Sequence, residues 1–312
     1  MGLLRWLFGR SHSETERRFR WMTPGASNCC RREETGTPEG MGDKGLSELT
    51  LDLGYDVCLK LMLIPAGSFM MGDEKGPNCE KAVHKINITR PFYLGKCAVT
   101  QEQWQAVMGH NPSRATNLTH PVTEVSWNDC QKFLCELNAG TVGAMGAFTL
   151  PTESQWEYAC RAGSATRYYF GDDETKLGEY AWYDRNSGHK THPAGEKRPN
   201  PWGLFDMHGN VMEWCQDLYY WDYYSHSPTD DPSGPVTGSN RVLRGGSWSS
   251  PAGFCRSSRR FADSPDGKMS DLGLRVCCVL LFTGADRVGD GGGSSCAAWH
   301  PIMQGDGGSE LP

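Results

Sequence analysis

The sequence predicts an α+β fold, organised as a single domain with an unusually large share of irregular chain. Three observations carry this. Two β-rich runs, LKLMLIPAGSFMMG and VHKINITRPFYLGKCAV, are bounded by Pro and Gly. Three helix starts share one capping grammar. From about Gly163 to Asp271 the chain is rich in Gly, Pro, Asn, Asp and Ser and has few periodic runs, so little regular structure is expected there.

Residues 1–47 are polar and charged without apolar periodicity, so burial cannot offset their ordering entropy, and a disordered leader is expected. The organised domain is expected over residues 48–282. A Gly/Ser-rich stretch over 283–312 reads as a disordered tail. Inside the domain, the partly alternating Val83, Ile86 and Ile88 fit a strand. Thr100 with Gln103, Ser126 with Asp129, and Thr152 with Gln155 each set a capping oxygen three residues before a side chain that can reach back. The helices that follow carry apolar faces: Trp104, Val107 and Met108; then Trp127, Cys130, Phe133, Leu134 and Leu137; then Trp156 and Ala159. These aromatics read as core. Short strands return at Arg241 to Leu243 and at Leu272 to Leu281.

Composition excludes some functions. The chain of 312 residues has a formal charge of −6 and a pI near 5.9, whereas nucleic-acid binders usually show a concentrated basic footprint, so neither DNA nor RNA is an expected partner. The apolar start MGLLRWLFGR is interrupted by Arg5 and closed by Arg10; it is short for a signal-peptide core and far short of a membrane span. A cytoplasmic monomer without membrane attachment is expected. The 13 cysteines include no Cys-x-x-Cys, and their odd number leaves at least one unpaired within the chain. Free thiols in a reducing compartment are expected.

Two places offer chemistry. Asp206 and Glu213 flank a Gly209-Asn210 turn, and two carboxylates with backbone carbonyls suit a hard cation such as Ca²⁺. The same residues also read as exposed carboxylates of an ordinary turn. Cys255 is followed by Arg256, Arg259 and Arg260, and positive neighbours lower a thiol's pKa. The alternative is a buried cysteine beside structural arginines. His189, His192, His208 and His226 lack metal-ligand spacing and read as loop histidines.

Taken in order, LIPAGSFMMG, PFYLGKCAVTQEQWQAVMGHNPS, PVTEVSWNDCQKFLCELN, LPTESQWEYACRAG, NPWGLFDMHGNVMEWCQD, RVLRGGSWSS and DLGLRV resemble the formylglycine-generating enzyme, or sulfatase-modifying-factor, family. The likeness spans about residues 58 to 276 and implies a coil-rich fold related to C-type lectins. It also implies an oxygen-dependent, copper(I)-assisted oxidase that converts a sulfatase cysteine, within Cys-x-Pro-x-Arg, into formylglycine. Two thiolates five residues apart hold the soft metal in that chemistry. By resemblance the second falls on Cys255 and the first on Ser250, whose hard, protonated hydroxyl cannot replace a thiolate for Cu(I). The family's active-site serine is matched by Ser247. Met212 stands where the family has tryptophan, and Phe254 where it has an aromatic hydroxyl.

The resemblance further implies a calcium site from the side chains of Asp206 and Glu213 and the carbonyls of Gly209 and Val211. A second family calcium site falls in a loop shortened between Tyr180 and Pro193 and is not carried over. Cys135 and Cys160 each match half of a family disulfide; the partner position of Cys160 holds Arg260, and Cys135 meets only Cys277, one residue out of register. With one thiol of the copper pair missing, a non-oxidase binding or accessory module for a sulfatase or other peptide is expected. The alternative is the formylglycine-generating oxidase itself.

Overall fold

The computed structural model describes residues 18–22, 47–142 and 146–280. The first strands are β1 (Phe19–Met22), β2 (Glu48–Asp52), β3 (Cys58–Ile64), β4 (Gly67–Met71), β5 (His84–Ile88) and β6 (Phe92–Gly95). Helices α1 (Gln101–Met108) and α2 (Trp127–Gly140) follow, then β7 (Thr141–Val142), β8 (Gly146–Thr149) and α3 (Glu153–Arg161). The second half adds β9 (Met212–Leu218), β10 (Arg241–Arg244), β11 (Phe261–Asp263), β12 (Leu272–Leu274) and β13 (Cys277–Leu280). The fold is α+β, as its sequence predicts, and among the described residues long irregular segments join the elements.

One sheet runs β7-β1-β2-β3-β6-β13-β8, and a second runs β11-β10-β9-β12; β4 and β5 form a separate hairpin. All three expected capping boxes are present: Thr100, Ser126 and Thr152 accept the N–H of Gln103, Asp129 and Gln155, and those side chains accept in return. The helical faces pack as the period predicts. Trp104 stacks on Phe133 with centroids 4.9 Å apart, inside a core that also takes Trp214, Leu243 and Leu274. Trp156 anchors a second cluster with Ile64, Ile86, Phe92 and Met207, so α3 lies against β4, β9 and β10.

One expectation is corrected, and one is refined. Within the leader expected to be disordered, Phe19–Met22 pairs with β2, because Phe19 finds a buried place in the core; residues 1–17 and 23–46 lie outside the described residues. The stretch from Gly163 to Asp271 holds the seven-residue strand β9, which runs antiparallel to β10 and parallel to β12. The expected tail, 283–312, lies outside the described residues. Among the described residues no helix is long and apolar enough to cross a membrane.

Buried arginines organise the irregular chain. Arg244 donates to the carbonyls of Ser257 and Arg259, Arg260 to that of Cys79, and Arg275 to those of Gly95 and Phe205. A guanidinium has five donors in a fixed fork, so each can satisfy backbone carbonyls that no sheet or helix ladder reaches. Their charge is balanced by carboxylates: Arg260 and Arg244 by Glu153 and Glu157 of α3, and Arg275 by Glu213 of β9.

Candidate functional site

Cys255 ends a 3₁₀ turn over Ala252–Phe254, where its N–H donates to the carbonyl of Ala252 at 2.9 Å. The side chain is fully buried against Tyr168, Leu177, Ala181 and Tyr183. Burial pushes the thiol well up, and the charges of Asp184 and Glu174 push it further. This corrects the expectation drawn from its basic neighbours. Arg256 turns to Glu80 at 2.7 Å, Arg259 to Glu80 at 3.2 Å, and Arg260 to Glu153 at 2.7 Å, so their charge is spent on carboxylates. Proximity in sequence is not proximity in field.

The backbone around Cys255 is tightly set. Gly246 has φ +71°, and a Cβ there would lie 2.8 Å from the Cys255 sulfur, so only glycine lets the two segments approach. His208, fully buried, takes the N–H of Tyr169 on Nε2 at 3.1 Å, which leaves Nδ1–H to donate to the Cys255 carbonyl at 2.7 Å. Burial lowers its pKa to about 3, so the ring is a neutral clamp on that carbonyl.

Ser250 belongs to a hydroxyl network. Its Oγ accepts the N–H of Ser247 at 3.0 Å and lies 3.1 Å from Ser247 Oγ. Ser247 Oγ donates to Asp271 Oδ2 at 2.8 Å, and Ser249 donates to the same oxygen at 2.7 Å. No imidazole or amine activates Ser247 among the described residues, which removes the usual base of a serine nucleophile. A hard hydroxyl at 250 leaves a single thiol, at 255, where a Cu(I) site of this kind needs two soft thiolates. Phe254 is 42% exposed, and Met212 is packed in the core.

Asp206 and Glu213 are both buried, which overturns the reading of them as exposed turn carboxylates. Gly209 is required between them, since a Cβ there would come within 2.3 Å of the Trp182 carbonyl. Asp206 Oδ2 accepts the N–H of Gly195 at 2.8 Å, while its buried Oδ1 has no partner. Burial, reinforced by the charge of Glu213, raises Asp206 to about 6. The unpartnered buried oxygen of Asp206 is a hard donor of the kind that a cation such as Ca²⁺ takes. Glu213 is engaged otherwise: Arg275 reaches it at 2.7 and 2.9 Å and Trp156 Nε1–H at 2.7 Å. Arg275, Asp271 and His208 are partners that the sequence reading missed. The first two lie in the quoted DLGLRV motif, the signal that could have raised them.

Among the described cysteines, Cys135, Cys160, Cys255 and Cys277 are free, so neither family half-disulfide is completed. Cys58 is disulfide-bonded, a departure from the free thiols expected throughout. His192 stacks on Trp182 at 3.7 Å, whereas His189 is exposed.

With fold and centre in view, the class is a coil-rich α+β domain stabilised by buried arginines, with a serine-bearing Gly-Gly-Ser-Trp turn beside one buried thiol. The sequence matches the sulfatase-modifying factor enzyme 1-like domain over residues 56–279, and the chain belongs to that family. It is 32% identical to a formylglycine-generating enzyme of Streptomyces coelicolor, over 68% of this chain and 87% of that one. It is 28% identical to the chaperone protein LppX of Paenibacillus barcinonensis, over 74% of this chain and 94% of that one. Among solved structures, Treponema denticola variable protein 1 superposes with a TM-score of 0.68 at 32% identity, covering 74% of this chain and 98% of that one.

Proposed function

We propose that this chain is a non-oxidase binding or accessory module of the sulfatase-modifying-factor family, acting on a peptide ligand. One observation carries the reading. Position 250 holds a hydroxyl tied to Ser247, so the buried Cys255 has no second thiol beside it to share a copper ion. A relative named as a chaperone, matched along most of both chains, supports a role other than oxidation for this scaffold.

The test is mass spectrometry of a Cys-x-Pro-x-Arg peptide incubated with the protein, Cu(I), a thiol reductant and oxygen, alongside the Ser250→Cys variant. The expected result is an unchanged peptide with wild type. Conversion of its cysteine to formylglycine by wild type would establish the oxidase reading and overturn this one. Activity in Ser250→Cys alone would mark a disabled oxidase on an intact scaffold.

On the same reading, Asp206, Glu213 and the carbonyls of Gly209 and Val211 would hold calcium, which supplies positive charge that pins the turn. The partnerless Oδ1 of Asp206 supports it. Chelation should lower the melting temperature; an unchanged melt with no calcium in elemental analysis would remove the ion.

A further inference from the structure

A cavity of about 740 Å³ opens between the loop after β4, the chain after α3 and the segment that follows Cys255. Buried Arg161, Arg256 and Ser258 line it, together with exposed Lys75, Arg167 and Asp172. A space of this size takes a small molecule. Ser247, Ser250 and Cys255 are not in its wall, so it is separate from the centre described above.

The wall holds four cations, Lys75, Arg161, Arg167 and Arg256, against the two carboxylates of Asp73 and Asp172. The carboxylates behind them are shared. Glu157 serves both Arg161 and Arg244, and Glu80 serves both Arg256 and Arg259. Glu153 likewise stands between Arg244 and Arg260, and Glu174 lies 3.8 Å from Arg167. Followed through all of these ion pairs, the wall and its partners set seven cations against six carboxylates. Lys75 has no ion pair among the described residues.

Donors are left over as well. Arg161 gives Nε–H to Glu157, both Nη2 hydrogens to Glu157 and the Gly72 carbonyl, and one Nη1 hydrogen to the Thr166 carbonyl; its last hydrogen has no acceptor among the described residues. Arg256 Nη2 makes one bond, to Glu80 at 3.0 Å, and keeps one hydrogen in the same way. Both oxygens of Asp73 are taken, Oδ1 by the Lys75 N–H and Oδ2 by Arg256. Asp172 Oδ1 accepts the Arg167 N–H at 2.8 Å, while its Oδ2 accepts nothing among the described residues.

Guanidinium N–H groups and an ammonium match the oxygens of a phosphate. The wall has no aromatic or large aliphatic side chain, so the rest of a ligand gains there by hydrogen bonding, and the open oxygen of Asp172 can accept from a hydroxyl. We infer that this cavity binds a phosphate monoester of a small polyhydroxylated molecule, the phosphate held by the four cations and a hydroxyl by Asp172. The site stands apart from the peptide reading and does not depend on it.

The test is calorimetric titration and thermal melting of the full chain with glucose 6-phosphate, ribose 5-phosphate and glycerol 3-phosphate, against glucose and inorganic phosphate, all at one ionic strength set with chloride. At least one ester is expected to raise the melting temperature and to bind about tenfold more tightly than inorganic phosphate, with glucose not bound. Lys75→Gln with Arg167→Gln changes two exposed positions outside the buried arginine framework. It should weaken ester binding about tenfold or more and leave the ligand-free melting temperature in place, and Arg167→Lys should keep most of the affinity. Asp172→Ala should weaken the esters relative to inorganic phosphate. No ester binding above the chloride control, or binding unchanged in the folded double variant, overturns the site. Glucose bound as tightly as its phosphate overturns the role of the anion, and inorganic phosphate bound as tightly as every ester overturns that of the hydroxyls.

Discussion

Replacing Arg275 by Met gives the sharpest test of how this coil-rich domain is held. Arg275 is fully buried and reaches Glu213 through Nε and Nη2, with its shortest contact at 2.7 Å. It also donates to the carbonyls of Gly95 and Phe205, each at 2.8 Å. Met fills similar length but removes every donor. Glu213 would then keep Trp156 alone as a protein hydrogen-bond partner. Breaking a buried ion pair by removing one partner costs about 3–5 kcal/mol, because the remaining charge is left uncompensated. In a domain of this size each kcal/mol lowers Tm by about 2–4 °C, so a fall of roughly 6–20 °C is expected. Urea and thermal melts followed by circular dichroism read it. The double variant Arg275→Met with Glu213→Gln should lose less than the two single losses added, since the stranded charge is gone. A single variant within about 1 kcal/mol of wild type, or strict additivity, would refute the claim that this pair holds the loop.

Three further outcomes are expected. Asp217 is buried, and burial with the nearby Glu153 raises its pKa to about 8. The unfolded carboxyl ionises near pH 3.9, so its contribution is fully present below that and is lost as pH rises through about 8. Asp217→Asn should flatten that slope in pH-dependent urea melts, and an unchanged slope would contradict it. His208, lowered to about 3 by burial, should remain neutral with Nδ1 protonated at pH 5 in ¹⁵N NMR; an imidazolium spectrum there would show the ring is not enclosed. Gly246→Ala should lower stability, since its Cβ would meet the Cys255 sulfur at 2.8 Å in a left-handed backbone. Adding Cys255→Ala should recover part of the loss in thermal melts, and no recovery would place the strain elsewhere.

What the sequence disclosed and what it hid follow from range. The capping boxes of Thr100, Ser126 and Thr152 are complete within four residues, so both halves of each signal sit side by side. Strand β9 is hidden because Met212 to Cys215 are buried without a break, leaving no alternation to read among flanking turn residues. β1 was missed because its pairing partner lies across a polar stretch that carries no pattern of its own. The field at Cys255 was misread for the same reason: the carboxylate that takes up Arg256 is 176 residues away. Asp206 and Glu213 were legible as a pair, but the guanidinium that engages Glu213 comes from 62 residues further on.

The separation of supports from centre explains how such a scaffold can carry different chemistries. The irregular segments hang on Arg244, Arg260 and Arg275, whose donors reach backbone carbonyls and the carboxylates of Glu153, Glu157 and Glu213. None of those contacts passes through Ser247, Ser250 or the Cys255 sulfur. A change at position 250 therefore leaves the arginine framework in place and alters only the turn that carries it. Here the turn suits a hydroxyl: Ser250 Oγ accepts the Ser247 N–H, and Ser247 passes its own proton toward Asp271. Sulfur is a weak acceptor, so a thiol at 250 would satisfy that buried N–H less well while gaining affinity for a soft metal. Oxygen at this position favours a settled hydrogen-bond network over metal binding.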